Sequence, residues 1–169
     1  MISQNYCAWK AQMLDIYTCH ACRELHGKVY EFGKKFIPKP PIHPNCRCKI
    51  TEMQACFAGE TTGRGANGAD WWLKMFGKLP DYYITMKEAK KSGWKPNKGN
   101  LQEILPGKMI VGGVYHNKNG HLPTAEGRIW YEADLEYSGR YRGMSRIVFS
   151  NDGLIFVTFD HYETYVEIV

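Results

Sequence analysis

The sequence predicts an α+β fold, with N-terminal helices packed on an antiparallel β-sheet and a small cysteine- and histidine-bearing module ahead of them. Three observations carry this prediction. All six cysteines (Cys7, Cys19, Cys22, Cys46, Cys48, Cys56) lie in the first third of the 169 residues. Helix signals cluster between Asn67 and Gly107, and from Met109 onward β-branched and aromatic residues alternate between turn signals. Helices followed by strands, in that order, imply an α+β domain with an antiparallel sheet.

The elements follow in chain order. Residues 1–57 form the first module, where Cys19-His20-Ala21-Cys22 is followed after a long gap by His43-Pro44-Asn45-Cys46-Arg47-Cys48. Two thiolates on a tight turn and two from a second knuckle satisfy a tetrahedral zinc site, with His43 as a spare or alternative ligand. The competing possibility is a pair of disulfides, with Cys7 and Cys56 as a third. Residues 58–66 are rich in Gly and Thr without apolar periodicity, which marks a linker to the second module, residues 67–169. There, Ala69, Trp72, Leu73 and Phe76 recur at helical spacing, with Asn67 as N-cap and Leu79-Pro80 as the stop. Thr85-Met-Lys-Glu88 is a capping box for a second helix ended by Gly93. Asn100-Leu-Gln-Glu103 repeats the device before Pro106-Gly107. Strands come next, separated by Asn117-Lys-Asn-Gly120, Ser138-Gly139 and Asn151-Asp-Gly153. In the strand Arg128–Tyr137, alternation places Trp130, Glu132, Asp134 and Glu136 on the face expected to meet solvent. His161 is expected late in the last of these strands.

Bulk properties exclude more than they assign. The net charge is +5, but residues 1–65 carry nine Lys/Arg against five Asp/Glu, while the remainder carries thirteen against twelve. Charge alone is therefore no argument for an anionic partner of the second module. The longest largely apolar run, Leu154–Phe159, is far short of the roughly 20 residues of a membrane helix, so no membrane segment is expected. The N-terminus has no signal-peptide pattern. That implies either a chain that stays inside the cell or a fragment whose address lies elsewhere.

A carboxylate, a histidine and two arginines in the second module suggest a specific chemistry. RNA can be cut without a metal because its own 2′-hydroxyl is the nucleophile, and the enzyme supplies a base, an acid and cations. Glu132 would take the 2′-hydroxyl proton and His161 would protonate the leaving 5′-oxygen. Arg142 and Arg146 present planar forks matched to phosphate oxygens. The same groups are also compatible with a structural role, in which Asp134 serves the arginines as a salt-bridge partner.

Resemblance bears on that choice. The stretches Leu79-Pro-Asp-Tyr-Tyr-Ile-Thr, Gly93-Trp94, Lys98-Gly-Asn-Leu101, Gly120-His-Leu-Pro123, Gly127-Arg-Ile-Trp130-Tyr-Glu132-Ala-Asp134, Ser145-Arg-Ile147 and Asp160-His-Tyr162 resemble the barnase-like bacterial ribonucleases over about Asn67–Val169. The resemblance implies Glu132 as general base, His161 as general acid, Arg142 and Arg146 as the phosphate clamp, and Tyr162 as an aromatic against substrate. It makes His116-Asn117-Lys118-Asn119 the base-recognition loop, Asn117 being tolerant of left-handed backbone. Asn119 stands where the family places a glutamate, which leaves guanine preference open. Met86 stands where the family places a phosphate-contacting lysine. Lys87 is the neighbouring substrate-side candidate and Lys90 lies one turn on, so a weakened enzyme is expected. A barstar-like inhibitor is the implied partner beside RNA, and catalysis is expected to need no cofactor.

Residues 9–50, with Asp15-x-x-Thr18-Cys19-x-x-Cys22 and Pro-Pro-Ile-His43-Pro-Asn-Cys46-Arg47-Cys48, resemble the C-terminal end of phage Mu F-like head morphogenesis proteins. Together the two resemblances imply a phage-type delivery piece fused to an RNA-cleaving toxin domain. The alternative is a catalytically weakened RNA-binding or structural component of a phage particle.

Overall fold

The computed structural model describes residues 1–11, 16–36, 38–137 and 141–169; Asp15 and the Ser138-Gly139 turn lie outside them. The described strands join one sheet. In chain order they are β1 (Ile2–Lys10), β2 (Val29–Glu31), β3 (Lys49–Cys56), β4 (Tyr83–Thr85), β5 (Met109–Tyr115), β6 (Trp130–Asp134), β7 (Arg146–Ser150), β8 (Ile155–Thr158) and β9 (Val166–Ile168). Their spatial order is β2-β1-β3-β9-β8-β7-β6-β5-β4. The α+β class is as predicted, but the sheet is mixed. Its centre from β5 to β9 is antiparallel, while β3 runs parallel to β9 and β4 parallel to β5. Neither parallel pairing is local in sequence, so no hairpin signal announces it.

The helices are α1 (His20–Leu25), α2 (Ala69–Phe76), α3 (Met86–Lys91) and α4 (Leu101–Ile104). Gly68, not Asn67, caps α2. Asn67 instead belongs to a short 3-10 turn, Gly65–Asn67. Ala69 and Leu73 face the core as predicted, whereas Phe76 is exposed. The α3 capping box is complete: Thr85 Oγ1 accepts the Glu88 amide and the Glu88 carboxylate accepts the Thr85 amide. Asn100 occupies the α4 cap position but its side chain serves the preceding loop, accepting from the Lys95 amide at 2.8 Å. The 58–66 connection is tied down by Asp70, fully buried, which accepts the amides of Gly59 at 2.9 Å and Thr61 at 3.0 Å.

Both faces of the central sheet are covered. On one, Ala133, Ile147 and Val157 pack against Ala69 and Leu73 of α2. On the other, Trp130, Val148 and Phe156 pack against Tyr6, Val29 and Met53. The face of β6 expected to meet solvent is therefore half buried, under residues supplied by the first 57. The sequence pattern of β6 alone could not show this, because the cover comes from a segment about 80 to 120 residues upstream. What remains open on that face is the end of the sheet where Glu132 lies.

Candidate active site

Along its open face the sheet changes from apolar to polar. Trp130 and Asp134 flank Glu132 at every second position of β6, and register pairs Glu132 with Val148 and Asp134 with Arg146. Glu132 also sits over a gap in β5. The pairing shifts between Val111 and Gly113, so Gly112 is the extra residue of a β-bulge. A Cβ on Gly112 would fall 2.4 Å from Glu132 Oε1 and 2.6 Å from its Cγ. The missing side chain is the space the carboxylate occupies.

Tyr162 holds the carboxylate from the other side, its hydroxyl donating to Glu132 Oε2. Burial, then the Glu132 carboxylate, push the Tyr162 phenol well above the usual tyrosine range, so it remains a donor. Tyr115 stacks on Tyr162 with ring centroids 4.9 Å apart and an 18° interplanar angle.

His161 is not on a strand. β8 ends at Thr158, and His161 and Tyr162 follow in a loop with φ of 59° and 73°. Left-handed backbone is uncommon for residues with a Cβ, more so for two in succession, and must be held by its surroundings. Asp160 holds it. Its Oδ1 accepts from Thr158 Oγ1 at 2.9 Å and from the amides of Glu163 at 3.1 Å and Thr164 at 2.9 Å. Its Oδ2 accepts from Thr164 Oγ1 at 2.6 Å. Burial works against the Asp160 charge, but these donors outweigh it and lower the carboxyl below its ordinary value. The Tyr162 amide is secured on Thr158 Oγ1 at 2.8 Å. The result is an exposed imidazole on a tightly bonded loop.

Glu132, His161 and Tyr162 line one cleft together with His116, Asn117, Lys118 and Asn119. Asn117 is left-handed, φ 46°, as its loop requires, and its amide closes the loop on both the N–H and C=O of Leu122. Asn119 donates to the Tyr162 carbonyl at 3.3 Å and accepts the His121 amide at 3.2 Å. The loop is thus fastened to the strained Tyr162 backbone.

The two arginines meet at Asp134, which is fully buried. Arg142 grips it with Nε at 3.0 Å from both carboxylate oxygens and Nη2 at 2.6 Å. Arg146 Nε lies 3.4 Å away, while its Nη1 donates to the carbonyls of Gly143 at 2.6 Å and Ser145 at 2.8 Å. Burial opposes the Arg142 charge, but its bonds to Asp134 outweigh that and raise its pKa. Arg142 keeps a quarter of its side chain exposed and Arg146 about a fourteenth. Asp134 therefore draws both guanidinium groups together, and among the described residues neither arginine lines the cleft of Glu132 and His161. Lys87 is exposed on α3 and Met86 packs on the core formed by Ala89, Trp94 and Met109. Among the described residues, Lys87 lines none of the clefts that hold Glu132 or His161.

The sequence pattern missed the Gly112 cradle, the Tyr115 stack and the Asp160 anchor. Gly112-Gly113 inside a strand was the available signal, since glycine there marks a bulge or close approach.

The cysteine and histidine cluster lies apart from this cleft. Cys19 and Cys22 Sγ stand 3.3 and 3.1 Å from His43 Nε2, and Cys22 Sγ stands 3.9 Å from Cys46 Sγ. Cys19, Cys22 and His43 form one converging set and Cys22, Cys46 and Cys48 a second, sharing Cys22. All six cysteines are free thiols, so the disulfide alternative is not formed here. Cys7 is buried and donates to the Tyr30 carbonyl. His43 Nδ1 lies 2.7 Å from the Pro44 carbonyl, a contact that protonates Nδ1 and leaves Nε2 as the lone-pair nitrogen facing the thiols. Thiol and imidazole donors of this kind suit zinc in their chemistry, although they converge as two sets of three that share Cys22.

No described helix is long and apolar enough to cross a membrane. A family model described as ribonuclease matches residues 74–169. A ribonuclease of Heyndrickxia coagulans is 46% identical over 102 residues, covering 60% of this chain and 94% of that protein. Ribonucleases of Bacillus intermedius and Bacillus pumilus are 46% identical over 102 residues, with 63% of each covered. The matched region contains residues 116–119, both arginines, Glu132 and His161, and the chain belongs to the ribonuclease family as an endoribonuclease.

Proposed function

We propose that this chain cleaves single-stranded RNA without a metal, through a 2′,3′-cyclic phosphate, with Glu132 and His161 as the acid/base pair. The observation that carries this is their shared cleft, with Glu132 fixed by Gly112 and Tyr162 and His161 fixed by the Asp160 loop. In the first step the 2′-oxygen bonds to phosphorus and gives its proton to Glu132. The bond from phosphorus to the 5′-oxygen breaks as His161 protonates that oxygen. In the second, water attacks the cyclic phosphate and yields its proton to His161, while Glu132 returns one to the 2′-oxygen. Arg142 and Arg146, preset by Asp134, stabilise the added phosphoryl charge without reorganising. The loop 116–119 takes the base, and Asn119, with one acceptor oxygen already engaged, relaxes the guanine preference.

The test is cleavage of a short RNA in chelator. Glu132→Gln and His161→Ala should each lower the rate about 10²–10⁴-fold, and cyclic phosphate should accumulate in the wild type. Full activity in either variant sinks the assignment.

The biological setting that fits is a toxin. Its N-terminal segment is the Cys/His end of a phage Mu F-like delivery piece, its site of action is the cytoplasm of a target cell, and a barstar-like protein restrains it in the producer. An acidic inhibitor face opposite Arg142, Arg146 and Lys118 would speed capture. The Cys19, Cys22, His43, Cys46 and Cys48 cluster holds one structural zinc. Metal analysis should find about one zinc per chain, and its removal should loosen residues 9–50 while cleavage of a dinucleotide persists.

A further inference from the structure

Beside the catalytic cleft lies a second one that the ribonuclease-matched region does not build alone. It is lined by Asn119, His161, Tyr162 and Glu163 on one side and by Arg23 and His26, from α1 and the residue after it, on the other. It shares Asn119, His161 and Tyr162 with the catalytic cleft and does not include Glu132. Arg23 and Asn119 also border a further cleft with Lys118, so the three hollows adjoin along one track.

The approach of the N-terminal segment to this track is close and specific. A Cβ on Gly27 would fall 1.6 Å from the Glu163 carbonyl oxygen, so only glycine lets the segment lie against the catalytic loop. His121, two residues beyond the base loop, lies with Nε2 2.8 Å from the Glu24 carbonyl, and its own carbonyl accepts the Val29 amide at 2.7 Å. His26 Nδ1 accepts the Ala11 amide at 3.3 Å, which leaves Nε2 as the protonated nitrogen and a donor.

We propose that Arg23 and His26 form an RNA subsite for the chain on the leaving-group side of the cut. This deepens the assignment of Glu132 and His161 above and rests on it. The acid meets the 5′-oxygen, so the leaving strand must depart past His161, away from Glu132. The cleft on that side is the one that Arg23 and His26 complete. Arg23 is exposed there, and its guanidinium suits a phosphate fork. Glu24 borders the adjoining cleft and Glu163 this one. Arg23 thus offsets these carboxylates in the cleft beside His161, where Lys118 does not reach, and neutralising it leaves Glu163 facing the strand there.

The experiment compares cleavage of a dinucleotide with that of an octanucleotide cut near its 5′ end. Arg23→Gln should lower kcat/KM on the octamer about tenfold, the loss of one charge-assisted bond. It should also reduce the slope of log kcat/KM against log salt by about 0.7, the share of one single-strand phosphate. Dinucleotide cleavage should stay at the wild-type level, and Arg23→Lys should recover most of the octamer rate. Because Arg23 Nε also donates to the Thr18 carbonyl at 2.9 Å, Glu163→Gln serves as an independent arm and should raise octamer cleavage alone. Equal effects on both substrates, or none on either, overturn the subsite. Persistence of activity in Glu132→Gln would overturn the catalytic assignment instead, so the two failures separate.

Discussion

Glu132 owes its position to a residue with no side chain. Gly112 leaves the hollow in which the carboxylate lies, and Tyr162 donates to it from above. In Gly112→Ala the new methyl must displace the carboxylate, because 2.4 Å to Oε1 is closer than atoms can rest. The obstacle is the Glu132 side chain from Cγ outward and not backbone, so the fold should survive while that side chain swings away. An offset near 1 Å costs about 10²-fold in rate. We therefore expect kcat to fall by about that factor with an unchanged melting temperature, and unchanged kcat would refute the cradle. Asp134 is the opposite case. It is fully buried and serves two arginines, so Asp134→Asn strands two cations. A loss of about 3 kcal/mol in urea unfolding is expected, since a buried pair that loses one member costs roughly that much. A loss below about 1 kcal/mol would show that Arg142 and Arg146 find solvent or other acceptors.

At the scale of elements, the loop after β8 decides whether His161, the proposed acid, is held in place. Asp160 accepts from all its donors while ionised, whereas protonation turns one accepting oxygen into a donor, and its carboxyl is depressed below the ordinary value. A depressed acid stabilises the fold above its unfolded pKa of about 3.9, and that contribution disappears as pH falls through the lower folded value. Melting temperature should therefore drop between about pH 5 and pH 2 by more in the wild type than in Asp160→Asn. Parallel curves would mean that the loop is held by other bonds. This loop also marks where the sequence stops being legible. The capping box at Thr85–Glu88, the left-handed Asn117 and the alternation of β6 are local patterns, and each can be read from a few neighbouring residues. Glu132 and His161 could be proposed as base and acid because the family resemblance gave their order. The departure of His161 from its strand rests on bonds from Asp160 to Thr158, Glu163 and Thr164, which are near in sequence but carry no alternation signal. The Gly112 bulge and the covering of Trp130 depend on partners far away in the chain. No window of sequence contains both members of those contacts.

For the whole molecule, the sheet runs without a break from β2 to β4, through the parallel pairing of β3 with β9. The first 57 residues add strands to the ribonuclease sheet and cover half of one face. Tyr6 meets Phe156 edge-on with centroids 5.3 Å apart, and Ser3 donates to the buried Glu167 of β9. A shared core of this kind makes the two parts melt together. Tyr6→Ala removes a large ring from that core and should cost about 3 kcal/mol. For a chain of this size that is a fall of about 6–12 °C in a single transition. Followed by tryptophan fluorescence, which reports Trp9 and Trp130 on either side of the junction together with Trp71, Trp72 and Trp94, and by far-ultraviolet circular dichroism, the change should appear at one temperature for both probes. Two transitions, with only the lower one shifted, would mean that the N-terminal strands fold on their own. Arg23 and His26 would then stand beside the catalytic loop only part of the time, and the octamer preference should fade at temperatures between the two transitions while dinucleotide cleavage persisted.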